Sequence, residues 1–345
     1  MANTGLRFNY HLFNKKKLLE ILTQYGDYKT IKIAYFSTHS LNYTRTEYLL
    51  NLFDEIGLNV DVVRSNYKNF FRYLDALYQL FVNKNKYDLV IVAFRGHEVL
   101  PFVRLIIPKK PIIFDAFVSV YDTLGFDRRI IKPKSVLGWL LKLYDIFLCK
   151  ISNLVLVDTN THAKYFKSEF GCKNIDYLYV GCNTKMFYLR KKRIKKKGDT
   201  FVVFWYGEGN PLQGVDIILK AAKQLENQSD IVFRIGGPIK EKYHSMIDNL
   251  SLKNVEFLGR IPYESLPDEI EKADLCLAGH FSDLPKARRV IPGKAFQFYE
   301  MGKKMILKHT DDSKKLFGEM DNSIFLKKDI KKSLVELILC ISNSK

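Results

Sequence analysis

Four cations crowd the stretch "KARRVIPGKAFQFYEMG": Lys286, Arg288, Arg289 and Lys294. They surround the start of an apolar, helix-spaced segment from Ala295 to Met301. Pro292 suits its first turn and Gly302 its end. Cations at this end of a helix oppose the helix dipole, which favours anions there. An isolated surface helix would gain by losing them. The pattern makes chemical sense around a diphosphate, gripped by backbone N–H groups and by guanidinium and ammonium groups together. The competing reading is a solvated basic loop.

Upstream lie three glycine turns, each after a strand-like run. Gly207, Glu208, Gly209 and Asn210 open "GEGNPLQGVD", where Gln213 and Gly214 lead into a helix. Gly236 and Gly237 close "RIGG", and Arg260 follows Gly259 in "FLGRIP". Glycine lets backbone approach a phosphate, and exposed N–H groups at a helix start attract anions. One such turn is a weak signal. Three from consecutive strands fall on one edge of a sheet, and that convergence carries more.

The elements that must position these groups alternate between strand and helix along the whole chain, which argues for parallel α/β layers. Strand-like runs include "TIKIAYFST", "LNVDVVRS", "YDLVIVAF", "KPIIFDAF" and "NLVLVDT", then "TFVVFWYG", "DIVFRIGG", "NVEFLG", "DLCLAG" and "KMILK". Between the two series, seven of the eight residues from Arg190 to Lys197 are basic. Such a block reads as a linker. The expected organisation is an amino domain over residues 1–188, a basic linker over 189–199 and a carboxyl domain over 200–345. Each domain is Rossmann-like, a doubly wound parallel sheet. The two are expected to face a central cleft that receives the carboxyl ends of the strands.

At 47% hydrophobic residues the chain can bury cores of this kind and is not a disordered one. No apolar run is long enough to span a membrane, and the amino terminus lacks a signal pattern. Five scattered cysteines without C-x-x-C spacing read as reduced thiols, with no zinc site. These features point to a cytoplasmic protein. The net charge of +18 favours anionic partners such as phosphates or lipid headgroups. Nucleic acid is not expected, because the aromatics follow core-like periodicity and form no stacking platform.

In order and spacing, "GEGNPLQGVDIILKAAKQL", "RIGGP", "NVEFLGRIPYESLPDEIEKADLCLAG" and "RRVIPGKAFQFYEMGKKMI" resemble the nucleotide-sugar domain of GT-B glycosyltransferases of the large retaining group, group 1 and family 4-like. "VLVDTNTHAKYFKSEFG" and "YVGCNTKMF" resemble the end of that family's amino domain. The resemblance implies the GT-B fold and transfer of a sugar from a nucleotide-diphosphate donor with retention. It implies no cofactor and no metal. Donor binding would fall to the three glycine turns together with Arg260, Lys286, Arg289, Pro292, Lys294 and Gln297. Two departures stand out. Arg289 and Gln297 occupy the places of a common glutamate pair, and Gln213 replaces a common lysine.

The resemblance places the acceptor, a glycan or lipid-linked glycan, on the amino domain. Ser40, Asn42 and Thr44 form a candidate acceptor-side loop. Asp115, Asp122 and His97 are the candidates for catalytic base or orienting group; Phe117 stands where the family often has histidine. Each also has a structural reading, as a loop cap or a core histidine. The basic, aromatic segment 128–152 is a candidate for an anionic membrane surface, with core packing as the alternative. The enzyme would then sit peripherally on the inner face of the membrane. Loss of both glutamates leaves a rival function open, a catalytically silent relative acting as a scaffold.

Overall fold

A computed structural model describes residues 9–41, 43–190, 199–319, 321–326 and 330–344. The chain divides into two compact units, residues 9–183 and 184–345. Most of the expected basic linker, residues 191–198, lies outside the described residues.

The amino unit runs α1 (Tyr10–Thr23), β1 (Lys32–Ser37), α2 (Thr44–Glu55), β2 (Asn59–Arg64), α3 (Phe71–Asn83), β3 (Leu89–Val92), α4 (Leu100–Ile106), β4 (Ile112–Asp115), α5 (Val120–Asp122), α6 (Val136–Ile151), β5 (Leu154–Val157), α7 (Asn160–Phe170) and β6 (Ile175–Tyr177). Its six parallel strands are ordered β2-β1-β3-β4-β5-β6. The central strands bury every residue, as sheets covered on both faces must. Ala76 and Leu80 of α3, Leu100 and Val103 of α4, Leu148 of α6 and Phe166 of α7 join one core with Val90, Ile112 and Val155 of the strands.

The carboxyl unit runs β7 (Phe201–Tyr206), α8 (Val215–Gln224), β8 (Ile231–Gly236), α9 (Ile239–Lys242), α10 (His244–Leu250), β9 (Val255–Gly259), α11 (Leu266–Lys272), β10 (Leu275–Gly279), α12 (Gly293–Glu300), β11 (Met305–Lys308), α13 (Asp311–Phe317), β12 (Ser323–Leu326) and α14 (Ile330–Asn343). Its parallel strands are ordered β12-β11-β10-β7-β8-β9. The sheet order reverses between β7 and β10. That switch point is where open α/β sheets receive ligands.

The segment "PLQGVDIILKAAKQLEN" is not one helix. Residues Pro211–Gln213 form a single 3₁₀ turn, and α8 starts after Gly214 at φ 69°. Likewise "IKEKYHSMIDNLS" splits into α9 and α10 at Tyr243.

Candidate functional site

The three glycine turns of the carboxyl unit are knitted edge to edge. Gly207 N donates to Gly236 O at 3.1 Å, and Gly237 N donates to Gly259 O at 2.6 Å. Gly237 has φ 113°, and a Cβ there would stand 1.9 Å from the Gly207 carbonyl oxygen. A side chain at 237 would force the first two turns apart. Gly214 is tight for a related reason. Its Cβ would lie 2.7 Å from the backbone nitrogen of Ser282, in the loop after β10.

Gln213, where the resemblance expects a lysine, works on the turn itself. Its Oε1 accepts from Gly209 N at 2.8 Å and Asn210 N at 3.2 Å. Two N–H groups of the first turn are therefore used internally. Arg260 Nη1 donates to Glu208 Oε1 at 3.0 Å, so these two sequence candidates meet each other at the exposed rim. Tyr243 donates to Gly209 O at 3.2 Å and Lys242 to Glu208 O, fixing the turn from a second side.

Behind this edge the cations gather. α12 begins after Pro292, and its second residue, Lys294, is buried. The Lys294 ammonium sits 4.2 Å from the centre of the Trp205 ring and 5.5 Å from that of Tyr206. The ring faces attract it, but among the described residues no carboxylate offsets its charge. Burial alone pulls its pKa down to about 7. Gln297, one helical turn on, is buried, and its Oε1 accepts from the Tyr206 hydroxyl. Lys286 is buried on the one-turn segment Pro285–Arg288, Arg289 is half-buried and Arg288 is exposed.

Three participants had no sequence expectation attached to them: Trp205, His280 and Lys308. Burial first, then Lys294, Lys286 and Lys308, hold the His280 imidazole down to about 3, so it stays neutral. Lys308 ends β11 and donates to Ser282 O at 2.6 Å, and burial lowers its pKa too. The available signal for Lys308 is a cation closing the apolar strand "MIL" at the edge that holds the glycine turns. Trp205 and His280 read in sequence as ordinary strand-end residues.

In the amino unit the three acid–base candidates sit in different surroundings. Asp115 ends β4 fully buried, and Arg45 of α2 grips it. Arg45 Nε donates to both carboxylate oxygens, at 2.8 and 2.9 Å, and Nη2 to Oδ1 at 2.6 Å. Arg45 Nη1 also donates to Leu178 O at 2.8 Å. A carboxylate this engaged ties α2 to the sheet. His97 is buried with Nε2 donating to Val118 O at 2.8 Å and its ring edge-on to Phe114. Asp122 is buried on α5. Tyr165 donates to its Oδ1 at 3.3 Å, and its backbone N–H donates to Ser119 Oγ at 2.8 Å.

Asp145 of α6 holds the same turn, accepting from Val120 N and Tyr121 N at 3.1 and 2.9 Å. Burial pushes its carboxyl up to about 6. Ser40 is exposed and Thr44 half-buried at the start of α2; Asn42 lies outside the described residues.

Structural comparison decides the architecture. HepE of Anabaena, solved with UDP-glucose, is 13% identical with a TM-score of 0.63, over 91% of this chain and 90% of that one. The chain has the GT-B fold. Sucrose-phosphate synthase of Thermosynechococcus elongatus is 12% identical with a TM-score of 0.64, again over 91% and 90% of the two chains. A glycosyltransferase of Rickettsia africae is 13% identical with a TM-score of 0.56, over 96% and 84%. Residues 189–281 match the family described as glycosyl transferases group 1. That match takes in the three glycine turns and stops before Lys286, so the cations around α12 rest on the geometry above. No curated protein matches the chain by sequence.

Proposed function

We propose that the chain is a glycosyltransferase whose carboxyl unit holds the diphosphate of a sugar nucleotide. The observation that carries this reading is Lys294, a buried ammonium with aromatic neighbours and, among the described residues, no carboxylate to offset its charge. A diphosphate supplies the missing negative charge. The N–H groups of Gly207, Gly209, Asn210 and Gly237 are spent inside the glycine turns, which therefore shape the edge beside the ammonium, and the group 1 match over 189–281 supports the same assignment. Because HepE was solved with UDP-glucose, uridine diphosphate sugars are the first donors to screen.

Breaking a sugar–diphosphate bond leaves negative charge on the departing phosphate. We assign the stabilisation of that charge to Lys294, Lys286 and Arg289, since cations fixed beforehand need not reorganise at the moment of reaction. We propose that these cations do so without a metal ion, and that transfer proceeds with retention, as the resemblance implies. The acceptor side falls to the strand-end loops of the amino unit, with Ser40 and Thr44. Arg45 engages Asp115, Val118 O engages His97 Nε2 and Tyr165 engages the buried Asp122, so we assign none of the three as the base.

The test is turnover of a sugar-nucleotide panel by the purified chain, with and without chelator, reading nucleotide release and the anomeric configuration of the product. Release that survives chelation and is lost in Arg289→Ala and Lys294→Ala supports the reading. Tight nucleotide binding with no turnover of any donor would instead give the scaffold function.

A further inference from the structure

In the amino unit, α3, α4 and α6 form one layer on the sheet, α4 packing between the other two. Their inward residues fill the core. Their outward residues are apolar as well. Phe70, Phe71, Leu74, Tyr78 and Phe81 follow one another at steps of one, three and four along α3, each more than half exposed. α3 therefore carries two apolar stripes, and the core uses one. α4 adds Phe102 and Leu105. α6 also divides: Leu148 turns inward, whereas Val136, Leu137, Trp139 and Leu140 are exposed. A monomeric protein rarely leaves so much contiguous apolar surface in water without using it.

The fringe of this face is basic. Lys68 precedes α3, Lys109 follows α4, and Arg128, Arg129, Lys132 and Lys134 lead into α6, all exposed, whereas Lys86 after α3 is paired with Asp61. The three helices hold two acids between them. Asp145 is buried, and Asp75 accepts from Gln79 Nε2 at 3.1 Å.

We propose that the outer face of α3, α4 and α6 docks on an anionic lipid surface. Aromatic and aliphatic side chains enter the boundary between headgroups and acyl chains, while the surrounding lysines and arginines meet the headgroups. The charge pattern selects this occupant over a second copy of the chain. A symmetric pairing through this face would set two basic fringes against each other with few acids to receive them.

Topology adds a consequence. α3 and α4 directly follow parallel strands and run back along the sheet, so their amino-terminal ends lie at its carboxyl edge. Ser40 and Arg95 sit in loops at that same edge. A lipid-tailed acceptor could keep its tail in the membrane while its head reaches those loops. This last step rests on the proposed transfer function; the docking does not.

The experiment is co-sedimentation of the full chain with phosphatidylcholine vesicles, and with vesicles that also contain phosphatidylglycerol. Binding is expected to the anionic vesicles and to weaken as salt is raised. A Phe70→Ser/Leu74→Ser/Trp139→Ser protein should keep its melting temperature and its sugar-nucleotide affinity, yet bind vesicles about tenfold or more weakly. Replacing Arg128, Arg129, Lys132 and Lys134 by alanine should cost about fivefold per cation in the anionic arm. Failure to bind anionic vesicles would overturn the proposal. So would undiminished binding by the serine variant, which would assign attachment to the basic block at 190–197 alone. A dimer in light scattering that the serine variant dissolves would overturn it in favour of self-association. Loss of sugar-nucleotide binding in the wild type would sink the transferase reading and leave the docking result standing.

Discussion

Lys294 is the residue on which binding and stability pull in opposite directions. Its ammonium is buried, and among the described residues no carboxylate meets it, so replacing it with an apolar group should stabilise the empty protein. Lys294→Met is expected to raise the unfolding free energy by roughly 1–4 kcal/mol, read as a higher denaturant midpoint, while abolishing donor binding. The sign with pH follows from its pKa, lowered from 10.5 to about 7. Between those values the unfolded chain binds a proton that the folded chain does not, so the stability of the empty protein rises with pH across this window. Below about pH 7 both states are protonated and the burial cost is constant. A bound diphosphate favours the charged form. Donor affinity should therefore fall above about pH 7, by up to about tenfold per unit, and calorimetry should show proton uptake. His280 stays neutral through that range, so it does not contribute to the slope. Asp115→Asn tests a different claim. It leaves the buried Arg45 charge uncompensated, so it should cost about 3–5 kcal/mol of stability, a loss no catalytic base would by itself produce.

At the level of elements, the glycine turns of the carboxyl unit were legible because each follows a strand-length apolar run and carries residues that a strand interior excludes. What sequence could not give was their mutual contact: nothing in "RIGG" says that Gly237 abuts the Gly207 carbonyl. Gly237→Ala should lower stability by at least about 2 kcal/mol and weaken donor binding with it. Gln213→Leu removes the acceptor that holds Gly209 N and Asn210 N. It should raise the donor KM about tenfold with a smaller change in kcat, because the turn is positioned and not itself reactive.

Elements built from polar runs escaped the sequence reading. α1 was unassigned, because "YHLFNKKKLLEILT" mixes lysines with a buried Asn14. Asn14 serves the sheet edge, donating to Tyr179 O at 2.8 Å and accepting from Tyr179 N at 2.9 Å. α13 and β12 were missed for a related reason. They are short, and α13 draws its start from the Thr310–Ser313 capping box instead of from apolar periodicity.

Across the whole molecule, the alternation of strands and helices sufficed to expect two parallel sheets. The strand order, with a switch between β7 and β10, needed coordinates. The positive charge of +18 divides into uses that composition alone could not separate. Lys286, Lys294 and Lys308 are buried at the strand ends of the carboxyl unit, whereas Arg128, Arg129, Lys132 and Lys134 fringe an apolar face of the amino unit. Because the account assigns the leaving-group charge to side chains, EDTA should leave the transfer rate within about twofold. A collapse of rate restored by a divalent cation would refute that part.

The most direct measurement is calorimetric titration of UDP-sugars into the wild-type chain and into Lys294→Met, near pH 7 and under identical salt. Saturable binding is expected for the wild type and at least about a hundredfold loss for the variant, which should be the more stable of the two without ligand. Equal affinity in the two proteins would contradict this expectation.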